Sequence, residues 1–189
     1  MRYGFKAQAE RISATARQAL GVSAIGPLDA KRYTEHVGVH ILTIEEMGLS
    51  AEARRQLLEI DPTSWSGMAI RESGLIGVLV NPTHSPERQA NTMMHESSHI
   101  VLKHVPVRVD VSSAGILLVS EYSEDDEDEA NWLAGALLLP RDALKHYREK
   151  GWPAAKIIAH FGVSQELYNW RIRMTGVDVQ MRRARAPVV

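Results

Sequence analysis

Two histidines and the glutamate beside them are the residues of this chain whose spacing best suits chemistry. His95 and His99 are four residues apart in the segment His95-Glu96-Ser97-Ser98-His99. On an α-helix this spacing puts both imidazoles on one face, one turn apart, where they can bind a common ion. Glu96 lies about 100° around the helix from His95. It therefore does not join the same ligand set easily, but it can reach a water molecule on the ion.

This division of labour is the one that metal-assisted amide hydrolysis requires. Two neutral imidazoles hold Zn²⁺, which lowers the pKa of a bound water toward ~7. A carboxylate takes the proton and later delivers it to the leaving amine. The alternative is a chance match on a polar helix. Core-forming residues such as Met94 and Ile100 flank the motif, and histidines buried there without a metal would need other polar partners. We therefore interpret the motif as a metal site with Glu96 as the general base.

A catalytic zinc site needs a third protein ligand. The chain contains no cysteine, so histidine, aspartate or glutamate must supply it. His104 is a poor candidate, because it lies a turn beyond His99 on the same predicted helix and is rotated off the His95–His99 face. The acidic run at 121–129, which leads into an apolar helix that stops at Pro140, is the better source.

Three glutamates of this run are candidates for the third ligand. A helix that must pack into the core can draw a carboxylate of its first turn to the metal. Glu127 shares a helical face with Asn131 and Ala134, whereas Glu129 projects to a different side. The rest of the run is interpreted as a solvated acidic segment. On residue types alone the candidates are Glu124, Glu127 and Glu129.

Hydrophobic periodicity and capping residues predict the elements that position these side chains. The predicted helices span 6–20, 28–37, 50–60, 85–104, 130–139, 141–149, 153–161 and 165–174, and the predicted strands span 39–44, 66–71 and 75–80. Residues 105–120 are expected as a loop or short strands. The order indicates an α+β fold that is mainly helical, with a small mixed or antiparallel sheet. From residue 180 we expect a loose basic tail.

The composition excludes several classes of function. With 189 residues and a net charge of −1, the chain is expected to form one domain without a strong overall field for nucleic acid or anionic lipid. No apolar run approaches the roughly 18 residues needed to span a bilayer. The first residues lack the apolar core of a signal peptide. The expected location is therefore the cytoplasm, without a membrane partner.

Two longer motifs make the chain resemble the ImmA/IrrE family of metallopeptidases. The first is Asn81-Pro82 with Ser85-Pro86-Glu87 leading into the histidine motif, and the second runs from Glu127 through Ala130-Asn131-Trp132 to Leu139-Pro140. The resemblance extends from about residue 3 to residue 176. Two departures are the serines at 97 and 98, where the family has an apolar residue and glycine, and Leu139 in place of methionine. The resemblance implies a zincin-like domain over 1–176, a basic tail at 177–189, and Glu127 as the third zinc ligand.

The sequence therefore predicts a zinc-dependent endopeptidase that cleaves a protein partner. His95, His99 and Glu127 would bind Zn²⁺, and Glu96 would be the catalytic residue. The resemblance further implies that the partner is a helix-turn-helix transcriptional repressor or an antitoxin-like regulator. Tyr122 is one candidate for stabilising the oxyanion, but the sequence does not select it over other polar groups.

The alternative function is a regulatory module that keeps the zinc fold without significant proteolysis. Residues 153–174 have the sequence pattern of a helix-turn-helix. In this function the phosphate contacts would come from five arginines: Arg171, Arg173, Arg182, Arg183 and Arg185. We favour an ordinary packed helical corner there, because a turn signature alone is often misleading. DNA binding is thus possible but not favoured. A separate hypothesis is that strand 75–80 is a sheet edge that binds extended peptide.

Overall fold

Helices make up most of the protein in the computed structural model, which describes residues 1–72, 75–111 and 117–185. The helices are α1 (Phe5–Ala19), α2 (Ala30–His36), α3 (Ala51–Arg55), α4 (Pro86–Val101), α5 (Glu124–Leu138), α6 (Arg141–Glu149), α7 (Ala154–Phe161), α8 (Gln165–Thr175) and α9 (Val177–Arg185). α3 continues into a π-helical turn over Gln56–Ile60.

Side-chain caps fix where several of these helices begin. At each of these N-termini a side-chain oxygen accepts a hydrogen bond from the backbone N–H three residues later, which satisfies a donor that the helix leaves unpaired. Before α4, Ser85 is followed by proline at the first helical position, where the missing N–H costs nothing. The capping residues are Asp29, Ser50, Ser85, Ser123 and Ser164.

The strands form one five-stranded mixed sheet within the described residues. Its strands are β1 (His40–Leu42), β2 (Gly67–Glu72), β3 (Leu75–Val80), β4 (Arg108–Val111) and β5 (Leu117–Glu121), in the order β1-β3-β2-β5-β4. β1 and β3 are parallel and the other pairs are antiparallel. The mainly helical α+β class with a small sheet is therefore confirmed. The hypothesis that 75–80 is an edge is wrong, since β3 pairs with β1 on one side and β2 on the other.

The main hydrophobic core surrounds α5. From Ala130 to Leu139 the helix is buried except at Asn131, and α1 and α4 pack against it. Residues of α2 and of α6–α8 complete this core. A second, smaller cluster around Ile44, Ile70 and Leu79 lies on the sheet. The central position of α5 means that side chains of its first turns are held against α4.

Three segments differ from their sequence-based expectation. α5 begins at Glu124, six residues before the apolar stretch expected from residue 130, because Ser123 caps the helix and carboxylates favour the positive end of its dipole. α4 ends at Val101, three residues before the expected end. The chain beyond residue 180 is helical to Arg185 in α9, and its first residue, Val177, is buried against the core; the expectation of a loose tail is wrong there. Residues 186–189 of that tail lie outside the described residues.

Among the described residues, no helix combines the length and the apolar character needed to cross a membrane.

Candidate metal centre

The packing of α4 against α5 brings three potential metal ligands together. His95 and His99 face Glu127 across the helix pair, and one ligand atom from each lies within 4.8 Å of the others. The two histidine Nε2 atoms are 3.1 Å apart. Oxygens of Glu127 lie 3.3 Å from Nε2 of His95 and 3.6 Å from Nε2 of His99. Three glutamates were candidates for the third ligand on residue type alone, and the helix packing places Glu127 here.

These distances fit a tetrahedral zinc site. Zinc binds imidazole nitrogen and carboxylate oxygen at about 2.0–2.2 Å, so neighbouring ligand atoms of a tetrahedron are roughly 3.3–3.5 Å apart. The three separations of 3.1, 3.3 and 3.6 Å bracket that value. Two neutral Nε2 atoms that face each other at 3.1 Å also repel through their lone pairs, and a cation between them removes that repulsion. The donor set and its spacing therefore fit the ion.

Burial and neighbouring charges shift the pKa values of the three candidate ligands. Burial and the neighbouring His95 lower the pKa of His99 to about 3, so its imidazole is neutral. Burial also opposes protonation of His95, but the carboxylates of Glu127 and Glu96 outweigh it and raise its pKa. The hydrogen bond with His95 lowers the pKa of Glu127, which favours the carboxylate.

Glu96 lies beside these ligands but is not one of them. Its side chain is half-buried on α4. Burial raises the pKa of Glu96, and the negative Glu127 adds to this while His95 opposes it. A carboxylate whose pKa moves toward neutrality is a better proton acceptor near neutral pH than an ordinary exposed one.

Outer contacts hold both histidine rings. Nδ1 of His95 lies 3.1 Å from Oδ1 of Asn131, one turn after Glu127 on α5. The ring of Tyr122 stacks on His99 with ring centres 3.7 Å apart. On its other nitrogen, Nδ1, His99 meets Nδ1 of His104 at 3.0 Å. Such contacts orient a ligand ring and select the tautomer that leaves Nε2 free.

Three buried polar atoms beside the centre lack a hydrogen-bond partner within the described part of the chain. Nε2 of His104 lies behind His99, and the other two are donors on the sheet side, the Tyr122 hydroxyl and Nε of Arg71 on β2. Burial raises the pKa of Tyr122, as do the nearby carboxylates Glu96 and Glu127, whereas Arg71 opposes the shift. The hydroxyl therefore stays protonated and able to donate. Since buried polar groups are normally paired, these donors are available for an acceptor on a bound molecule.

Comparison with known protein families places the chain in one of them. The model of Peptidase_M78, the IrrE N-terminal-like domain, matches residues 76–173, slightly more than half of the chain. The chain belongs to this family. The matched region runs from β3 to α8 and contains all four residues of the candidate centre. Membership in a peptidase family supports a metallopeptidase-type function. Searches among curated proteins and among solved structures found no significant match.

In this member of the IrrE-like family, the sequence pointed to the direct ligands but missed most of the surrounding contacts. His104 was set aside as rotated off the ligand face and Glu129 as pointing elsewhere; both are absent from the ligand group, yet they contact each other behind His99. Asn131 had a detectable signal, the four-residue spacing from Glu127 on one helical face. Arg71 had none, because it reaches the site from the sheet.

The helix-turn-helix-like pair of this IrrE-like domain is α7 and α8, joined through Gly162 in the left-handed conformation. Arg171, expected as a phosphate contact in the alternative function, is completely buried. It donates to the carbonyl of Leu139 at 2.9 Å and to Glu10 at 2.5 Å. That expectation is wrong for Arg171, because the side chain ties α8 to α1 and α5. Arg173 is exposed.

Proposed function

We propose that this protein is a zinc-dependent endopeptidase that hydrolyses a peptide bond of a protein partner. The observation that carries the proposal is the meeting of His95, His99 and Glu127 at ligand spacing, with Glu96 beside them. Family membership supports the peptidase part of the proposal. A zinc ion held there would activate water and polarise the substrate carbonyl.

In this proposal Glu96 is the general base and then the general acid. Its carboxylate accepts a proton from water as the water oxygen bonds to the carbonyl carbon. The carbon–nitrogen bond then breaks, and the protonated Glu96 gives that proton to the leaving amine. The raised pKa of Glu96 suits both steps. Tyr122 would donate a hydrogen bond to the oxygen that becomes negative in the tetrahedral intermediate, which uses its unpaired hydroxyl.

A cavity beside α5 has room for a polypeptide segment, and it reaches the centre through Asn131 rather than through the candidate ligands or Glu96, which do not line it. Its volume is about 610 Å³, and it lies between α4, α5 and α8. Asn131, which contacts His95, belongs to its wall, as do Trp132 and Trp170. Charged and polar side chains such as Glu87, Arg88 and Glu166 also line it, and they could pair with polar groups of a bound polypeptide. We propose that the substrate chain passes along this cavity, and that the substrate is a helix-turn-helix repressor or an antitoxin-like regulator, as the family resemblance implies.

A trapping experiment with Glu96→Gln tests this function. The variant keeps the size of the side chain and the three ligands, so we expect it to bind zinc, to capture its partner from cell extract and to leave it uncleaved. With the purified partner, the cleavage rate should fall by about 10²–10⁴-fold. The matched control is Glu124→Gln on the exposed first turn of α5, which should cleave like wild type. Cleavage by Glu96→Gln at the wild-type rate would rule out the proposed mechanism.

A further inference from the structure

The chain turns back on itself just after α4. Leu102 caps the helix, and the N–H of His104 donates to the carbonyl of His99 at 3.0 Å, while that of Lys103 donates to Ile100 at 3.1 Å. This is the hydrogen-bond pattern of a Schellman motif, whose left-handed position usually carries glycine. Here Lys103 occupies it with φ of 58°, and no other non-glycine residue of the described ranges has a positive φ. A left-handed side-chain-bearing residue costs roughly 1 kcal/mol.

The strained turn places the side chain of His104 directly behind a metal ligand. His104 is almost fully buried, with its Nδ1 3.0 Å from Nδ1 of His99. Its other nitrogen, Nε2, lies 3.4 Å from an oxygen of Asp126 and 3.6 Å from one of Glu129. Both carboxylates come from the first turns of α5, the helix that also carries Glu127. His104 thus lies between the back of His99 and two carboxylates of the opposite helix, with Nε2 within ion-pair distance of both but without hydrogen-bond geometry to either.

The carboxylates are themselves held in place. Arg2 binds Glu129 through its main-chain N–H at 2.8 Å and through Nε at 2.9 Å. Asp126 accepts a hydrogen bond from Ser123, the cap of α5, at 2.8 Å. His99, His104 and the two carboxylates thus form a row of side chains, and the carboxylates at its end are held by Arg2 and by the cap of α5.

Donor and acceptor rules fix the hydrogen positions along this row. A carboxylate accepts hydrogen bonds, so the hydrogen of a neutral His104 lies on Nε2, which faces Asp126 and Glu129. Its Nδ1 is then an acceptor, and the hydrogen between the two rings belongs to Nδ1 of His99. With that hydrogen on Nδ1, His99 presents a lone pair at Nε2, the atom that faces His95 and Glu127.

We propose that His104 is a positioning residue for the metal centre: it holds His99 in the tautomer and orientation that bind the metal through Nε2. The inference rests on the proposed metal centre. The role proposed for His104, orientation of a ligand, differs both from binding the metal and from general-base catalysis. This also gives the left-handed residue at the end of α4 a role, since the turn at Lys103 directs His104 back toward His99. Outer contacts of this kind typically contribute 10–100-fold to metal affinity.

Two nearly isosteric variants test the role of His104. Both His104→Asn and His104→Leu remove the ring, but the asparagine oxygen can sit near the place of Nδ1 and accept from His99, whereas leucine cannot. Zinc affinity, measured by competition with a coloured chelator, should fall about 10–100-fold for His104→Leu and should largely recover for His104→Asn. The control His36→Leu removes an exposed histidine of α2 and should leave the affinity unchanged.

A second readout separates orientation from general stability. The absorption spectrum of the cobalt-loaded protein reports ligand geometry, and we expect it to change in His104→Leu but not in His104→Asn. In zinc-loaded wild type, nitrogen NMR should show His99 protonated at Nδ1 and metal-bound at Nε2, a measurement that needs no variant. Equal zinc affinities for wild type and His104→Leu, equal losses in both His104 variants, or metal on Nδ1 of His99 would each overturn the inference alone. If wild type binds no zinc, the proposed function fails and the inference fails with it.

Discussion

Two helix pairs of this protein are built alike and serve different purposes. α4–α5 and α7–α8 both contain a serine-capped helix and both carry basic or acidic side chains that their sequences marked as functional. In the first pair the charged and polar groups meet one another at the contact between the helices, at the spacing of metal ligands. In the second pair Arg171 is buried and donates to the carbonyl of Leu139 and to Glu10, inside the protein. The position of the side chains in the folded protein is thus a better guide to whether a motif is functional than the spacing of its residues in the sequence.

After Glu96→Gln, the largest expected effect at the α4–α5 centre comes from removing the unpaired hydroxyl of Tyr122. In Tyr122→Phe the ring can still stack on His99, but the donor for the oxyanion is lost. We expect kcat to fall by about 10²–10³-fold, as for other oxyanion donors, with zinc affinity and KM little changed. Steady-state kinetics with the captured partner measure this. An unchanged kcat would remove Tyr122 from the mechanism, and a loss of zinc would show that its role is structural.

The next largest expected effect is a loss of stability when Arg171 of α8 is replaced. Arg171→Met keeps much of the side-chain length but leaves the carbonyl of Leu139 without its donor, and Glu10 with only the backbone N–H of Arg141. Removing one member of a buried ion pair costs on the order of 3 kcal/mol in the free energy of unfolding, toward the low end because Glu10 is only partly buried.

Denaturant unfolding checks this effect on the free energy of unfolding. The exposed neighbour variant Arg173→Met is the matched control and should unfold like wild type. If Arg171→Met were as stable as wild type and reduced DNA binding instead, the alternative function would regain its support.

The smallest expected effect is on DNA binding. With Arg171 buried and Glu166 in the first turn of α8, the helix presents little positive charge to a phosphate backbone. Binding measured across a salt series should therefore show a shallow slope, and Arg173→Ala should not alter it. A steep slope that falls by about one unit in Arg173→Ala would reverse the comparison of the two helix pairs.

The sequence predicted those features that depend on local pattern. Strand 75–80 and helix 141–149 have the expected bounds, and the four-residue spacings put His95 and His99 on one face and Glu127 with Asn131 on another. Features that arise from the meeting of distant segments were not predictable in the same way. Arg71 approaches from β2, and Arg2 lies 127 residues before the glutamate that it binds. No periodicity within one element encodes such contacts.

The errors at element ends have a common physical cause. The last turn of α4 was expected to include His104 because its residues are compatible with a helix, yet the helix ends in a left-handed lysine that no sequence rule favours. α9 was missed because its charged residues resemble a tail, and the burial of Val177 in the core is a tertiary effect. In both cases packing overrides local preference.

The most direct test of the proposed metal centre is the zinc stoichiometry of wild type and of His99→Ala, measured by equilibrium dialysis followed by elemental analysis. His99 is the buried candidate ligand of the α4–α5 pair, and its Nε2 is directed at His95 and Glu127. We expect one zinc ion per wild-type chain and none held tightly by His99→Ala. A wild-type chain that binds no zinc, or a variant that keeps its zinc with unchanged affinity, would contradict the account.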